Sequence, residues 1–389
     1  MQPAKPYRLI FYPPIEWGGL FQRPHHLSLQ LARLFEQVLY IQPAGLRNPV
    51  LKDLGRLGNL FSQRPKNLRG RGLDNRRVRV CSLPFLPFQG LSAFDVYNGW
   101  IFSHIVNRDK QAYEDTIIWI GAPAPFLKKA LKKLHFATVV FDWMDDYSIF
   151  SHLPSRVVDM QYWMLKRADL VFASSEILLR RAAQIRRDRL WLLPNGVDLA
   201  HWSLPEGPCS PQRPFGDNVI GYFGTISHWL DKELVHDLAE GHKDWNFVFV
   251  GPRADNGGLD HIFGLSNCHH VTSLPYDELP AVASGFDVCW IPFKMTSRVK
   301  SINPVKAYEY LAMGKPVVSI PLPDLEPLEG AISFATDLSA FERAISRALS
   351  GKGQGASPQE RRAAVASYSW ERLGQKAAAI LKEFLNSST

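Results

Sequence analysis

Lys306 and Glu309 stand three positions apart in Asn303-Pro-Val-Lys-Ala-Tyr-Glu309, a spacing that puts a cation and a carboxyl on one face of a helix. Asn303 suits an N-cap, Pro304 the first helical position and Gly314 the helix end. The first turn of such a helix aims unpaired N–H groups and a positive dipole end at whatever precedes it, which fits phosphate. Lys306 adds charge there, and Glu309 offers an acceptor for hydroxyls one turn further on. Phosphate donors and a hydroxyl acceptor so separated suit a nucleoside diphosphate. The same residue types also describe a capped surface helix with an ordinary Lys/Glu pair.

Three further clusters have chemical potential. Gly221-Tyr-Phe-Gly224-Thr225 reads as a strand end where glycine lets backbone approach a phosphate, or as a tight turn. Asp142, Asp145 and Asp146 crowd the end of an apolar strand. Asp145 there suits a general base, a metal ligand or a helix cap. Trp17-Gly18-Gly19 followed by Arg23, His25 and His26 reads as a loop running into a helix, with glycines for close approach and Arg23 for an anionic substrate. His25 fits a catalyst or, more simply, a cap.

These clusters need a scaffold. Apolar runs at 8–12, 38–41, 116–120, 138–141, 170–173 and 190–193 alternate with helical patterns such as 24–35, 124–134 and 156–166, which predicts an α/β domain with a parallel sheet. The segment 205–214 is too rich in Pro and Gly for regular structure and reads as a linker. A second series follows, with strands at 218–223, 246–250, 270–272, 288–291 and 317–320 and a helix at 232–240. A last amphipathic helix is expected over 369–385. The expected division is 1–198 as an N-terminal α/β domain, 199–216 as linker, 217–366 as a second α/β domain and 367–389 as a helix packing across their junction. Such domains place ligands at the carboxyl ends of their strands, here in a cleft between the two.

The 389 residues exceed what one core usually fills, which agrees with two domains. Neither GxGxxG in the first domain nor GxxxxGK[ST] anywhere supports a dinucleotide or P-loop reading. Four scattered cysteines, Cys81, Cys209, Cys268 and Cys289, suggest neither disulfides nor a zinc site. No apolar run approaches the ~18 residues of a membrane span, so a cytoplasmic protein is expected. The net charge of +8 is matched by a local excess, since ten Lys/Arg between Arg47 and Arg79 face only Asp53 and Asp74. The apolar Leu83-Pro-Phe-Leu-Pro-Phe88 comes directly after it. Basic residues beside such side chains suit peripheral binding to an anionic membrane through 47–88; nucleic acid is the competing polyanion, and a solvated loop the plain alternative.

Taken together the residues resemble glycosyltransferases of the GT-B fold, the group loosely called family 1 or family 4. The resemblance rests on Ala168-Asp-Leu-Val-Phe-Ala-Ser-Ser-Glu176, Pro194-Asn-Gly-Val-Asp198, Gly221 to Thr225, Pro304 to Val318 and Tyr368-Ser-Trp-Glu371. Gln22-Arg-Pro-His-His26 is similar to the teichuronic-acid-type transferases of that group, and the order of elements around Asp145 to a glucuronosyltransferase of xanthan assembly, whose base is an aspartate at this strand end. The resemblance implies two Rossmann-like domains and a reaction that moves a hexosyl or glucuronosyl group from a nucleotide sugar, a UDP-sugar by family habit, to a glycan or lipid-linked acceptor. It implies no metal, no separate cofactor and no nucleic acid.

By the same resemblance the donor site comprises Gly224, Thr225, Arg253, Val271, Ser301, Asn303, Lys306 and Glu309, with Lys306 on the diphosphate and Glu309 on ribose or sugar. The acceptor side comprises Trp17, Gly18, Gly19 and Arg23, and the catalytic candidates are Asp145, Asp146 and His25. Many relatives carry two glutamates eight positions apart, whereas this chain has Ser301 opposite Glu309. An inverting reaction with Asp145 as base is therefore expected, with front-face retention as the alternative. Two other classes fit the same scaffold: a UDP-sugar 2-epimerase and a non-catalytic binder of nucleotide sugars or polyanions.

Overall fold

The computed structural model describes residues 7–18, 21–35, 37–46, 77–87, 91–108, 116–150, 153–203, 214–254, 257–351 and 355–388. The chain forms two compact units, residues 1–194 with 373–389 and residues 195–372.

Each unit is built on an all-parallel sheet. In the first, β1 (Arg8–Tyr12), β2 (Gln37–Ile41), β3 (Val78–Cys81), β4 (Thr116–Ile120), β5 (Ala137–Trp143), β6 (Leu170–Ala173) and β7 (Leu190–Leu192) lie in the order β3-β2-β1-β4-β5-β6-β7. In the second, β8 (Val219–Phe223), β9 (Asn246–Val250), β10 (Cys268–Val271), β11 (Val288–Ile291), β12 (Val317–Ser319) and β13 (Ile332–Phe334) lie in the order β10-β9-β8-β11-β12-β13. Helices cover both faces of such sheets, so the central strands are continuous apolar runs: every residue of β1, β4, β8 and β11 is buried. Both orders reverse direction beside their first strand, between β1 and β4 and between β8 and β11. This is the doubly wound pattern, in which the crevice at the carboxyl ends of the strands receives ligands.

Helix ends follow local chemistry. Ser175, Asp198, Asp231, Thr296 and Asp337 each cap a helix by accepting a backbone N–H. The helix Val305–Ala312 ends as expected at Gly314. That residue has φ +76°, its N–H donates to Leu311 O (2.9 Å) and the Lys315 N–H donates to Tyr310 O (3.1 Å), the paired bonds of a Schellman motif. Its start corrects the expectation: Pro304 is the cap residue, and Asn303 Oδ1 caps nothing. Asn303 instead accepts from Asn195 Nδ2 through its carbonyl (2.7 Å). Glycine at 221 is also required for another reason than phosphate. It lies inside β8, where a Cβ would sit 2.0 Å from the Phe286 ring.

Two of the sequence motifs, 194–198 and 368–371, meet beside the 305–312 helix. Val197 exchanges backbone hydrogen bonds with Tyr368 O and Trp370 N (both 3.0 Å), and the Tyr368 ring packs at 5.0 Å on Tyr308 of the 305–312 helix. The helix Trp370–Ser388 carries the chain back to the first unit, where Lys376 donates to Leu192 O (2.9 Å) and Gly374 lies against Gln30.

Candidate functional site

At the carboxyl edge of the second sheet, β8 ends in Gly224 with φ +125°, and Gly251 after β9 has φ +142°. A Cβ on Gly251 would meet Gly224 O at 2.3 Å, so the two strand ends touch backbone to backbone. The Gly224 N–H donates to Val250 O (2.9 Å) and the Gly251 N–H to Val271 O (3.0 Å), which steps β8, β9 and β10 together. Arg253 joins the same edge through a bridge to Ile226. Its guanidinium is engaged, pairing with Asp260 at 2.7 Å and lying 4.9 Å from the centre of the Phe263 ring.

Lys306 rises into this edge. Its Nζ lies 4.9 Å from the Tyr222 ring centre and 5.0 Å from that of Phe293, and a Cβ on Gly224 would come within 3.3 Å of it. Two aromatic faces hold the ammonium without neutralising it. Gly224 leaves open the space a side chain would take. The first-turn amides of Val305 and Lys306 have no intrahelical partner by geometry, so amide donors and an ammonium meet at one switch point. Thr225 follows directly, its carbonyl accepting from Tyr222 Oη (3.0 Å).

Glu309 is buried one turn behind Lys306. Burial pushes its carboxyl up to about 8, opposed by the Lys306 charge and by hydrogen bonding from Trp202 and Tyr276. Trp202 Nε1 also donates to Tyr276 Oη at 2.9 Å. A carboxyl that is largely protonated at neutral pH both donates and accepts, which suits a hydroxyl ligand. Ser301 has turned away from such a role: its Oγ donates to Arg298 O (2.8 Å) and closes the short helix Ser297–Lys300. Trp202, Tyr276, Tyr222 and Phe293 are the residues that sequence reasoning missed. Two of them had a signal: Tyr222 lies inside Gly221 to Thr225, and Trp202 comes just after Pro194-Asn-Gly-Val-Asp198.

The carboxyl edge of the first sheet is organised differently. The three aspartates do not share one environment. Asp142, within β5, is buried and accepts from Arg23 Nε and Nη2 (2.7 Å at the shortest) and from Trp119 Nε1 (3.3 Å). Arg23 Nη1 also donates to Pro194 O at 2.9 Å. The guanidinium read from sequence as an acceptor contact is thus a buried counter-ion in the core. Asp146 is buried too. Its Oδ1 accepts from Ser148 N (3.0 Å), Ser148 Oγ (2.6 Å) and Gln161 Nε2 (3.3 Å), and its Oδ2 pairs with Arg181. Gln161 Oε1 in turn accepts from Tyr147 N (2.7 Å) and Trp143 Nε1 (2.8 Å). Asp145, between these fixed neighbours, is the exposed member of the three.

His25 is buried with both ring nitrogens used, Nδ1 accepting from Gln22 N (3.0 Å) and Nε2 donating to Glu16 O (3.1 Å). Burial lowers its pKa to about 4. It packs among Phe21, Trp17 and Tyr40, where a neutral ring closes the helix start and leaves no nitrogen for proton transfer. Trp17 is tied to Gln42 through its backbone N–H (2.8 Å), and Gly18 has φ +101° with open space around it. Gly19 lies outside the described residues, as do 47–76 and 88 of the basic and apolar stretch and 204–213 of the linker. Within that stretch Phe85 belongs to the core, packing on Phe126 at 5.1 Å.

No group of three or more His, Cys, Asp or Glu suited to a metal occurs among the described residues, and no described helix is long and apolar enough to cross a membrane.

Comparison with known proteins bears on this geometry. Residues 217–351 match the family described as Glycosyl transferases group 1, so a domain of that family forms most of the second unit. A Bacillus subtilis protein provisionally named teichuronic acid biosynthesis glycosyltransferase TuaH is 27% identical over 175 residues, which are 43% of this chain and 44% of that protein. The match thus spans less than half of that relative. Among solved structures, Anabaena Alr3699/HepE in complex with UDP and glucose superimposes with a TM-score of 0.64 at 16% identity, over 97% of this chain and 100% of that one. Sucrose-phosphate synthase from Thermosynechococcus elongatus gives 0.68 at 14% identity, over 98% and 100%. These likenesses establish the fold: two Rossmann-like α/β domains of the GT-B class.

Proposed function

We propose that this protein is a glycosyltransferase that takes a sugar from a nucleoside diphosphate sugar, a UDP-sugar, and passes it to a hydroxyl of a glycan or lipid-linked acceptor. The observation that carries the reading is Lys306, whose ammonium is held by two aromatic rings directly over the side-chain-free Gly224 at the β8/β11 switch point. The 305–312 helix start and Lys306 stabilise the diphosphate as the bond from the anomeric carbon to phosphate oxygen breaks. Glu309 receives a ribose or sugar hydroxyl, and no metal is needed for this charge. That the structures of HepE and other similar enzymes hold UDP or UDP-sugars supports the choice of uridine.

We assign the acceptor's proton to Asp145. As the acceptor oxygen forms its bond to the anomeric carbon, its proton passes to the Asp145 carboxylate and the nucleoside diphosphate departs, giving inversion. The exposed carboxylate on a turn fixed by Asp146, Arg181 and Gln161 supports that role, as does the engagement of Ser301 with its own backbone. Positioned proton transfer is worth about 10²–10⁴-fold in rate. Asp145→Asn should therefore cut transfer by that order while UDP-sugar affinity stays within about twofold. Full turnover by this variant would remove Asp145 as base, and epimerised donor formed without acceptor would replace transfer by epimerisation.

A further inference from the structure

The helix Ser92–Asn107 is apolar on the side away from the core as well as toward it. Inward, Ile101, Phe102 and Val106 are buried, while outward Val96 (54% exposed), Tyr97 (38%) and Trp100 (58%) face solvent on adjacent turns, with His104 stacked on Trp100. A run of large exposed apolar side chains on successive turns is uncommon on a soluble surface. It is also rigidly mounted: Arg8 caps the carboxyl end of the helix through Val106 O, Arg108 O and Ile105 O, and Asn98 pairs with the Leu86 backbone in both directions.

Gly99 allows the next element to come close, since a Cβ there would stand 3.2 Å from Phe126 O and 3.6 Å from Lys129 Cβ. That element, the helix Leu127–Leu131 and its continuation, brings exposed Lys128, Lys129, Lys132 and Lys133, and Lys129 reaches Ser92 O at 3.4 Å. The single acid in residues 91–108 is Asp95, which is buried, and residues 123–136 contain none. An exposed Tyr/Trp/Val ridge thus lies beside four lysines, and neither of the two segments that supply them carries an exposed acid. Water-soluble protein partners with acidic grooves would use the lysines but gain little from a convex ridge. A bilayer with anionic headgroups uses both, taking Trp and Tyr at the interface and the ammonium groups among phosphates.

We propose that this ridge and lysine cluster form a docking face for an anionic lipid bilayer. It is separate in sequence from the basic stretch at 47–79, and it acts without the donor site, so it stands or falls apart from the glycosyltransferase reading. The test is co-sedimentation of the full chain with phosphatidylcholine vesicles and with vesicles one third phosphatidylglycerol, without nucleotide sugar. Wild type should bind the second kind only, and weaken as salt rises. Val96→Ser/Tyr97→Ser/Trp100→Ser should lower binding at least about tenfold. Lys128→Glu/Lys129→Glu/Lys132→Glu/Lys133→Glu, which touches no core residue, should lower it about 100-fold or more, given about 1 kcal/mol per cation at such a surface. Circular dichroism and UDP binding should match wild type in both variants. Wild type that ignores the anionic vesicles, or variants that bind them as wild type does, would overturn the proposal. So would a concentration-dependent dimer in sedimentation velocity that the triple variant abolishes, since a second copy would then be the occupant.

Discussion

Arg23 and Lys306 are both cations at the carboxyl edge of a parallel sheet, yet their surroundings differ in kind. Arg23 is buried, paired with Asp142 and bonded to Pro194 O. Lys306 has aromatic faces and a glycine for neighbours, and among the described residues no carboxylate pairs with it. The carboxyls repeat the contrast: Asp142 and Asp146 are ionic partners inside the first unit, whereas Glu309 in the second is held nearly neutral by burial. The first edge spends its charges on holding a turn that carries Asp145 outward. The second keeps charge and protons available for a ligand.

The comparison breaks most severely at Asp142. Asp142→Asn strands a buried guanidinium, which costs about 3–5 kcal/mol, whereas Arg23→Met with Asp142→Leu should recover much of it. Denaturant melts of the three proteins decide this, and an Asp142→Asn loss below about 1 kcal/mol would mean that the pair is solvated. Gly314→Ala should cost about 1–2 kcal/mol for the left-handed backbone, with more from a Cβ 2.9 Å from Pro358 Cβ. Its melting temperature should fall without change in the first unit.

The pH dependence rests on two groups that oppose one another where both titrate, between pH 4.5 and 6.5. His25 has its folded pKa depressed from 6.5 to about 4, so its contribution is present above 6.5 and lost as pH falls toward 4. Glu309 has its folded value raised from 4.5 to about 8, so its contribution is present below 4.5 and lost as pH rises through 8. Glu309→Gln should flatten the decline toward pH 8, and His25→Gln the decline toward pH 4. Thermal melts across this range check both. Unaltered profiles would mean that neither group is as dry as the structure makes it.

Much of the scaffold was legible because buried parallel strands are unbroken apolar runs: β1, β4, β6, β9 and β11 fall at the expected residues. The short Val78–Cys81, with a charged Arg79 on an edge, gave no such run and went unread. So did Ser92–Asn107, whose two apolar faces erase the helical period. At the site, what was written within one turn of chain was readable, as for Lys306 and Glu309. What depends on distant partners was not. Arg23 looked available because Asp142 lies 119 positions away, Gly221 looked like a phosphate turn because Phe286 is out of sight, and Trp202 meets Tyr276 only after 74 positions.

The central claim is that Lys306 over Gly224 is a diphosphate site. Isothermal titration of UDP into wild type and Lys306→Met tests it most directly, with circular dichroism to show that both are folded. A charge-assisted contact is worth about 1.5–3 kcal/mol, so the variant should bind UDP about 10- to 100-fold more weakly. Equal UDP affinity in the two proteins would contradict the account.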